Sequence, residues 1–301
     1  MNLLLTQLRA SLTARQLLRG GWSFSADSNQ AALEPTCLAL LALRATEPRG
    51  AHILTKTQRR DGGWGSFAGD EQSSGLTGLA LLTLNIFEIS GRARVGAINW
   101  LLNHEGKEAH VPWRWIFRRR DTHVRFDPKK SGWPWQPETC SWVVPTAFAI
   151  LALRQAFLDH RPRTVVSRIR TGVEMLLDRT CPDGGWNAGN SVVYGCPMSP
   201  HIDATAVALL ALQGDSSPEI VRRSIDWLED GAHFCEAPWS LAWSILGLHS
   251  WDRPVESLQR RLAQMAESDP FSDTATLAAV ILALDCAAPG NPFKLLRGHI
   301  T

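Results

Sequence analysis

The sequence predicts an all-α protein, a single domain of residues 1–301 built from six helical hairpins. Six nearly all-apolar segments of roughly ten residues, rich in Ala and Leu, recur along the chain, and this favours helix over strand. Amphipathic segments alternate with them, as exposed helices do. No segment is typical of a sheet strand, and no shift in composition marks a domain boundary.

The six apolar segments are the predicted inner helices. Proline in the first turn and Asp or Ser at the cap are typical of helix starts. A helix that is apolar around its whole circumference must be buried on every side. Their first residues are Glu34, Ser74, Val144, Asp203, Ala237 and Asp273.

The amphipathic segments are the predicted outer helices, and they cover residues 8–18, 51–59, 95–102, 165–177, 219–228 and 255–266. The simplest closure of six such hairpins is a ring with the buried helices inside. All inner helices then run parallel, so we expect their first residues to meet at one end of a central apolar cavity. The longest irregular stretch is residues 103–141, and long loops in compact domains are commonly functional or disordered.

Charge and cysteine content narrow the class of protein. The 31 basic and 29 acidic residues leave a net charge of +2, which argues against a nucleic-acid partner. Six scattered cysteines without a CxxC pair favour reduced thiols and a cytoplasmic location. We expect neither a signal peptide nor a segment that crosses a bilayer. Thirteen tryptophans against one tyrosine suggest that indoles line a site for an apolar or cationic ligand.

Three loops that lead into inner helices share one motif, Gly20-Gly21-Trp22, Gly62-Gly63-Trp64 and Gly184-Gly185-Trp186. Gln58 precedes the second copy, Gln16 stands at the same spacing in the first, and Thr180 replaces the glutamine in the third. The pattern resembles the glutamine–tryptophan repeat of squalene–hopene cyclases and related terpene cyclases, whose α/α-toroid is shared with protein prenyltransferase β-subunits. The resemblance implies an (α/α)6 toroid with six inner and six outer helices. Within it we interpret the three tryptophans as structural clamps.

The segment from Pro200 to Val207 carries the predicted chemistry. It looks like the Asp-x-Asp-Asp-Thr-Ala motif of class II terpene cyclases, whose middle aspartate protonates an alkene or epoxide. The resemblance places Asp203 on that proton donor. His201, its predicted helper, stands where the first aspartate of the motif is expected, and Ala204 stands where the last aspartate is expected. The alternative is that Asp203 caps its helix, as Asp273 also can. Glu34 is a second cavity carboxylate or a first-turn charge.

Tryptophans form the predicted substrate-binding surface. Trp133, Trp135, Glu138 and Trp142 fall within ten residues, and indole faces can stabilise a carbocation. The alternative is an aromatic plug that closes a long loop. Trp239 and Trp243 stand at i and i+4, so they share one helix face and line the same pocket or belong to ordinary core.

Metal and membrane contacts were weighed from the remaining motifs. Protein prenyltransferases bind zinc through an Asp-x-Cys pair that no inner-helix start contains, and the DDxxD motif is absent, so we predict no metal and no cofactor. An irregular zinc set is the alternative, formed by Cys196, His201, Asp203, His233 and Cys235. Trp113 and Trp115 fit a peripheral membrane contact. Nearby cations suit a diphosphate or a solvated loop, and they are Arg118, Arg119, Arg120, Arg125, Lys129 and Lys130.

The resemblance implies a class II-type terpene cyclase or isomerase that protonates an isoprenoid in an aromatic-lined cavity. The alternatives are a non-catalytic toroid that binds an isoprenoid or another apolar small molecule, and a protein-binding toroid. Related cyclases pair two toroids, and this chain supplies one. We therefore expect a second toroid chain or a homodimer as partner.

Overall fold

The computed structural model describes residues 1–44, 48–119, 125–158, 161–214, 218–268 and 271–295, and these residues are mainly helical. The α-helices are α1 Asn2–Ala14, α2 Leu33–Leu43, α3 Pro48–Thr57, α4 Thr77–Ile86, α5 Arg92–Asn103, α6 Val111–Arg119, α7 Val143–Ala156, α8 Arg163–Asp178, α9 Ile202–Ala211, α10 Pro218–Ala232, α11 Pro238–Ser250, α12 Glu256–Ser268 and α13 Thr274–Leu284. The all-α prediction is confirmed.

The six apolar segments form α2, α4, α7, α9, α11 and α13, whose side chains are almost all buried. Each of these helices packs on the next in this order, and α13 packs back on α2. The amphipathic helices α1, α5, α8, α10 and α12 lie against them. The predicted irregular stretch contains α6 and a short 3-10 turn, Lys107–Ala109.

Main-chain hydrogen bonds show that several neighbouring inner helices begin side by side. Leu33 donates to Ser66 in the loop before α4, and Val143 donates to Ala188 in the loop before α9. Thr274, the first residue of α13, donates to the carbonyl of Phe24 in the loop before α2. The loops before neighbouring inner helices are thus tied to one another.

Two short strand pairs were not expected from the sequence. β1 (Trp133–Pro134) pairs antiparallel with β2 (Ser141–Trp142), and β3 (Val192–Val193) pairs with β4 (Cys196–Pro197). Each strand has only two residues, so it carries no alternating pattern that a sequence reading can detect. They are loop closures rather than parts of a sheet core.

The C-terminal segment closes the opposite end of the domain. Arg44 and Gln155, near the ends of α2 and α7, donate to the carbonyls of Gly290 and Pro292. Gln213, just after α9, donates to the carbonyl of Phe293 at 2.8 Å. Because the Phe293 side chain is fully buried, this segment is part of the core.

The Gly-Gly-Trp tryptophans tie each outer helix to the following inner helix. The indole N–H groups of Trp22, Trp64 and Trp186 donate to main-chain carbonyls in the last turn of α1, α3 and α8, where intrahelical partners are missing. Their main-chain N–H groups donate to hydroxyls of the inner helices. The acceptors are Leu12 and Thr36, Leu54 and Thr77, and Leu176 and Thr205. These are the contacts expected of structural clamps.

Candidate active site

Equivalent positions of the inner helices define a layer at their common end. The helix caps Ala32, Trp142, His201, Ala237 and Asp273 are all in extended conformation. Two residues further along each helix stand Glu34, Val144, Asp203, Trp239 and Ala275. The first four are partly exposed, although most of each helix is buried. We call the partly exposed residues Glu34, Val144, Asp203 and Trp239, together with the cap residue Asp273, the mouth.

One helical turn deeper lies an apolar layer. The equivalent residues are Leu38, Phe148, Val207, Trp243 and Ala279, none more than 4% exposed. Phe148 and Trp243 meet edge to face with ring centroids 5.8 Å apart, although α7 and α11 are separated by α9. Four residues of helix correspond to about 6 Å of depth. The layer one turn below the mouth is therefore apolar and contains two aromatic rings, and we call it the floor.

This floor corrects the expectation for Trp243, which was predicted to contact substrate in an open cavity. Trp243 is 1% exposed and also packs against Phe293, with ring centroids 5.3 Å apart. It is core at this level, and the open space lies above it. Trp239 remains partly exposed at the mouth, with its ring 5.6 Å from that of Trp243. The indole Nε1 of Trp243 is buried without a hydrogen-bond partner.

The structure places the predicted pair His201 and Asp203 at the start of α9. His201 is exposed and is the cap residue, and its main-chain N–H donates to the carbonyl of Trp186 at 2.8 Å. No side chain caps α9, so Asp203 does not perform the alternative capping role. Its carboxyl is partly exposed at the mouth and lies close enough to Cys235 to add to the rise in the pKa of that thiol, which burial mainly causes.

Asp273 does cap its helix. Its carboxylate accepts hydrogen bonds from the main-chain N–H and from the hydroxyl of Thr276, both at 2.6 Å. The capping alternative is therefore confirmed for Asp273. The carboxylate also remains at the edge of the mouth, where it is partly exposed.

Glu34 is the most perturbed acid of the mouth. Burial, and secondarily the negative charge of Asp273, raise its pKa to about 7. Glu34 in turn adds to the rise in the pKa of Cys37 one turn deeper, to about 12, which burial dominates. Among the described residues its carboxyl has neither a hydrogen-bond partner nor an ion-pair partner. Near neutral pH this carboxyl exchanges a proton.

Trp133 was predicted to bind substrate, and the structure shows that this was wrong. It is fully buried, and its indole N–H donates to the carbonyl of Leu101 at 2.8 Å while Thr146 accepts from its main-chain N–H. The Arg168 guanidinium stacks on the ring at 3.5 Å. Trp133 is thus a fourth clamp.

The insertion before Trp133 hides this role in the sequence. The indole and its carbonyl acceptor are 32 residues apart, whereas they are 10 apart in the other three copies. One signal was available. Gly132-Trp133 precedes Thr146 by 13 residues, the spacing that also separates Trp64 from Thr77.

The rest of this predicted tryptophan cluster does not form one surface. Trp135 is partly buried, and its carbonyl accepts from Gly75 at 2.9 Å. Glu138 is exposed on the loop with φ of 64°. Trp142, 36% exposed, is the cap residue of α7 and therefore lies beside the mouth.

A buried ion pair supports the loops beside the mouth and was missed from the sequence. Glu108 and Arg179 are 0% and 2% exposed in their side chains, and their charged atoms are 3.5 Å apart. Glu108 accepts from the main-chain N–H of Ser141, and Arg179 donates to the carbonyl of Gly189 at 2.7 Å. The pair joins the loops before α7 and α9. No motif reveals it, because its members are 71 residues apart.

The last group of predicted site residues comprises those proposed for a diphosphate, a metal or a membrane contact. Lys130 pairs with Asp178 at 3.0 Å, and Arg120 lies outside the described residues. Trp113 and Trp115 on α6 are 36% and 57% exposed. Within the described ranges, no three His, Cys, Asp or Glu residues are grouped so that they could hold a metal ion. No helix in the described part of the chain is long and apolar enough to cross a membrane.

Comparisons with known proteins address the fold. No family model matches the chain, and no curated protein matches it. A protein from Actinoplanes of known crystal structure is similar over 94% of this chain and 98% of its own, with a TM-score of 0.58 and 17% identity. A novel alpha-amylase from Clostridium perfringens is similar over 93% of this chain and 97% of its own, with a TM-score of 0.62 and 10% identity. At these identities the likeness concerns the fold alone.

Proposed function

We propose that the chain is an (α/α)6 toroid and that it acts as an acid-initiated isoprenoid cyclase or isomerase. The circuit of packed inner helices, from α2 through α13 and back to α2, supports the toroid. The observation that carries the function is the mouth itself. Glu34, Asp203, Asp273 and the partly exposed Trp239 all stand at the starts of inner helices, one turn above an apolar layer.

The chemistry of such a mouth suits the end of an alkene chain. A carboxylic acid transfers its proton to the C=C bond, which produces a tertiary carbocation. The indole face of Trp239 stabilises the cation. A carboxylate then removes a proton from a neighbouring carbon, so that the double bond is restored at a new position or after ring closure. Because the floor lies about 6 Å below the rim, only the end of the substrate enters.

Turnover with an isoprenoid panel tests the proposal. Purified protein is incubated in D2O with linear isoprenoids of increasing length, with and without a diphosphate, and products are identified by mass spectrometry. An isomer or cyclised product that carries one deuterium supports the proposal. Trp115→Ala, at an exposed tryptophan outside the mouth, is the control variant. Lipid that is retained but unchanged would instead favour the non-catalytic carrier, and neither result would favour a protein-binding rim.

Glycoside hydrolysis is a second candidate. The same group of carboxyls could supply the acid and the base that hydrolysis of a glycosidic bond requires, and Trp239 could stack on a sugar. An alpha-amylase shares this fold, so glycosidic substrates are included in the test. Maltooligosaccharides and starch are therefore assayed for new reducing ends beside the isoprenoids. Light scattering of the same samples tests the predicted homodimer, and binding to lipid vesicles tests the predicted peripheral membrane contact.

A further inference from the structure

The mouth holds two carboxyl groups on adjacent inner helices, and their surroundings differ. α13 packs against α2, which brings the cap residue Asp273 beside Glu34. Asp273 accepts two short hydrogen bonds from Thr276, and hydrogen bonds donated to a carboxylate favour its ionised form. The donors of Asp273 are thus supplied by its own helix.

Glu34 receives no such stabilisation. No described donor reaches its carboxyl, and the acidic groups that face it are Asp273 from α13 and Cys37 from its own helix. Arg15, just after α1, interacts with Asp273. Its guanidinium donates to the carbonyls of Phe271 and Ser272 at 2.6 and 3.1 Å rather than to Glu34. From α4, the hydroxyl of Thr83 lies close enough to Cys37 to oppose the rise in the pKa of that thiol.

Asp203 occupies the equivalent position of α9 but lacks a charged neighbour of this kind. Its helix packs on α7 and α11, whose cap residues are Trp142 and Ala237. Neither cap residue carries a carboxylate; the adjacent acid is Glu236, which precedes Ala237 and acts together with Asp203 on Cys235. Glu34 and Asp203 occupy the same position in their helices. They differ in the cap residue of the adjacent helices, which is an aspartate beside Glu34 but not beside Asp203. Like charges on neighbouring carboxyls drive one of the pair to keep its proton.

We infer that Glu34, rather than Asp203, is the acid of the mouth, and that Asp273 is a positioning residue that adds to the effect of burial in keeping the proton on Glu34. The perturbed pKa of Glu34 agrees with this assignment. The inference rests on the proposed function only in that the proton is transferred to a substrate. Which carboxyl holds the proton does not depend on that function. Asp203 is then left as the carboxylate that accepts a proton at the end of the reaction.

Carboxyl titration tests the assignment without any substrate. The full-length protein is labelled with 13C at glutamate side-chain carboxyls, and Glu34→Gln identifies the Glu34 signal. We expect a midpoint near 7 in the wild type, as the pKa requires. Asp273→Asn removes the neighbouring charge but preserves a good cap, so the midpoint should fall by roughly one unit. Asp203→Asn should leave it in place. A midpoint below 5.5, or one that Asp273→Asn does not lower, overturns the inference.

Turnover gives a second, separate readout. On a substrate that the wild type converts, Glu34→Gln should lower kcat at least about 100-fold, and Asp203→Asn should lower it less. Asp273→Asn should shift the alkaline limb of the pH–rate profile to lower pH, an effect that a purely structural change would not produce. The reverse order of Glu34→Gln and Asp203→Asn overturns the inference. If the wild type converts nothing, the proposed function fails, while the titration still decides which carboxyl holds the proton.

Discussion

Replacement of Trp64 tests whether the clamps hold the domain together. Trp64 is 1% exposed, and its indole N–H donates at 2.8 Å to the carbonyl of Leu54, one of the last four residues of α3. Trp64→Ala removes a buried large aromatic, so the free energy of unfolding should fall by about 3–5 kcal/mol. Trp64→Phe keeps most of the apolar contact but leaves that carbonyl without its donor, and should cost about 1–3 kcal/mol.

Urea denaturation followed by circular dichroism at 222 nm measures both losses. Trp115→Ala is the matched control, because Trp115 is 57% exposed, and we expect it to cost less than about 1 kcal/mol. The order should be Trp64→Ala, then Trp64→Phe, then the control. If Trp64→Ala unfolds at the same urea concentration as Trp115→Ala, the indole does not act as a clamp and belongs to another function.

Three further predictions use matched changes elsewhere in the chain. Gly62 and Gly69 both have positive φ, but a Cβ at Gly62 would lie 2.3 Å from a backbone oxygen of α5, whereas a Cβ at Gly69 would meet open space. Gly62→Ala should therefore lower the free energy of unfolding by about 2 kcal/mol more than Gly69→Ala, as measured by thermal unfolding. Glu108→Ala strands the buried Arg179 and should cost about 3–5 kcal/mol in urea unfolding, whereas joint replacement of both residues by apolar ones should cost less. The folded-state pKa of Glu34 lies above its unfolded value, so its stabilising contribution is complete below about pH 4.5 and is lost as pH rises through about 7. The difference in unfolding free energy between Glu34→Gln and wild type should therefore grow over this range in favour of the variant, by roughly 3 kcal/mol, and a flat difference would contradict the perturbed carboxyl.

The sequence was informative about the site wherever a residue's role depends on its own helix. Glu34, Asp203 and Asp273 were recognised because each stands at the start of an apolar helix, and the structure places all three at the mouth. Trp239 and Trp243 share a helix face but differ in exposure, because Phe148 of another helix packs against Trp243. A pattern within one segment carries no information about that contact. Likewise, a pattern within one segment does not predict the pKa of an acid when that pKa depends on a neighbouring helix.

The sequence by itself determined the helices. Their apolar circumference forces six of them into the interior, and the repeated Gly-Gly-Trp loops mark where three outer helices turn into inner ones. Only the tertiary structure decided which charges and rings meet. It moved Trp133 from the predicted site to a clamp, and it placed Asp273 beside Glu34 instead of beside Asp203. The physical reason is that helix formation and burial follow from local composition, whereas electrostatic perturbation and packing depend on distances between residues far apart in the chain.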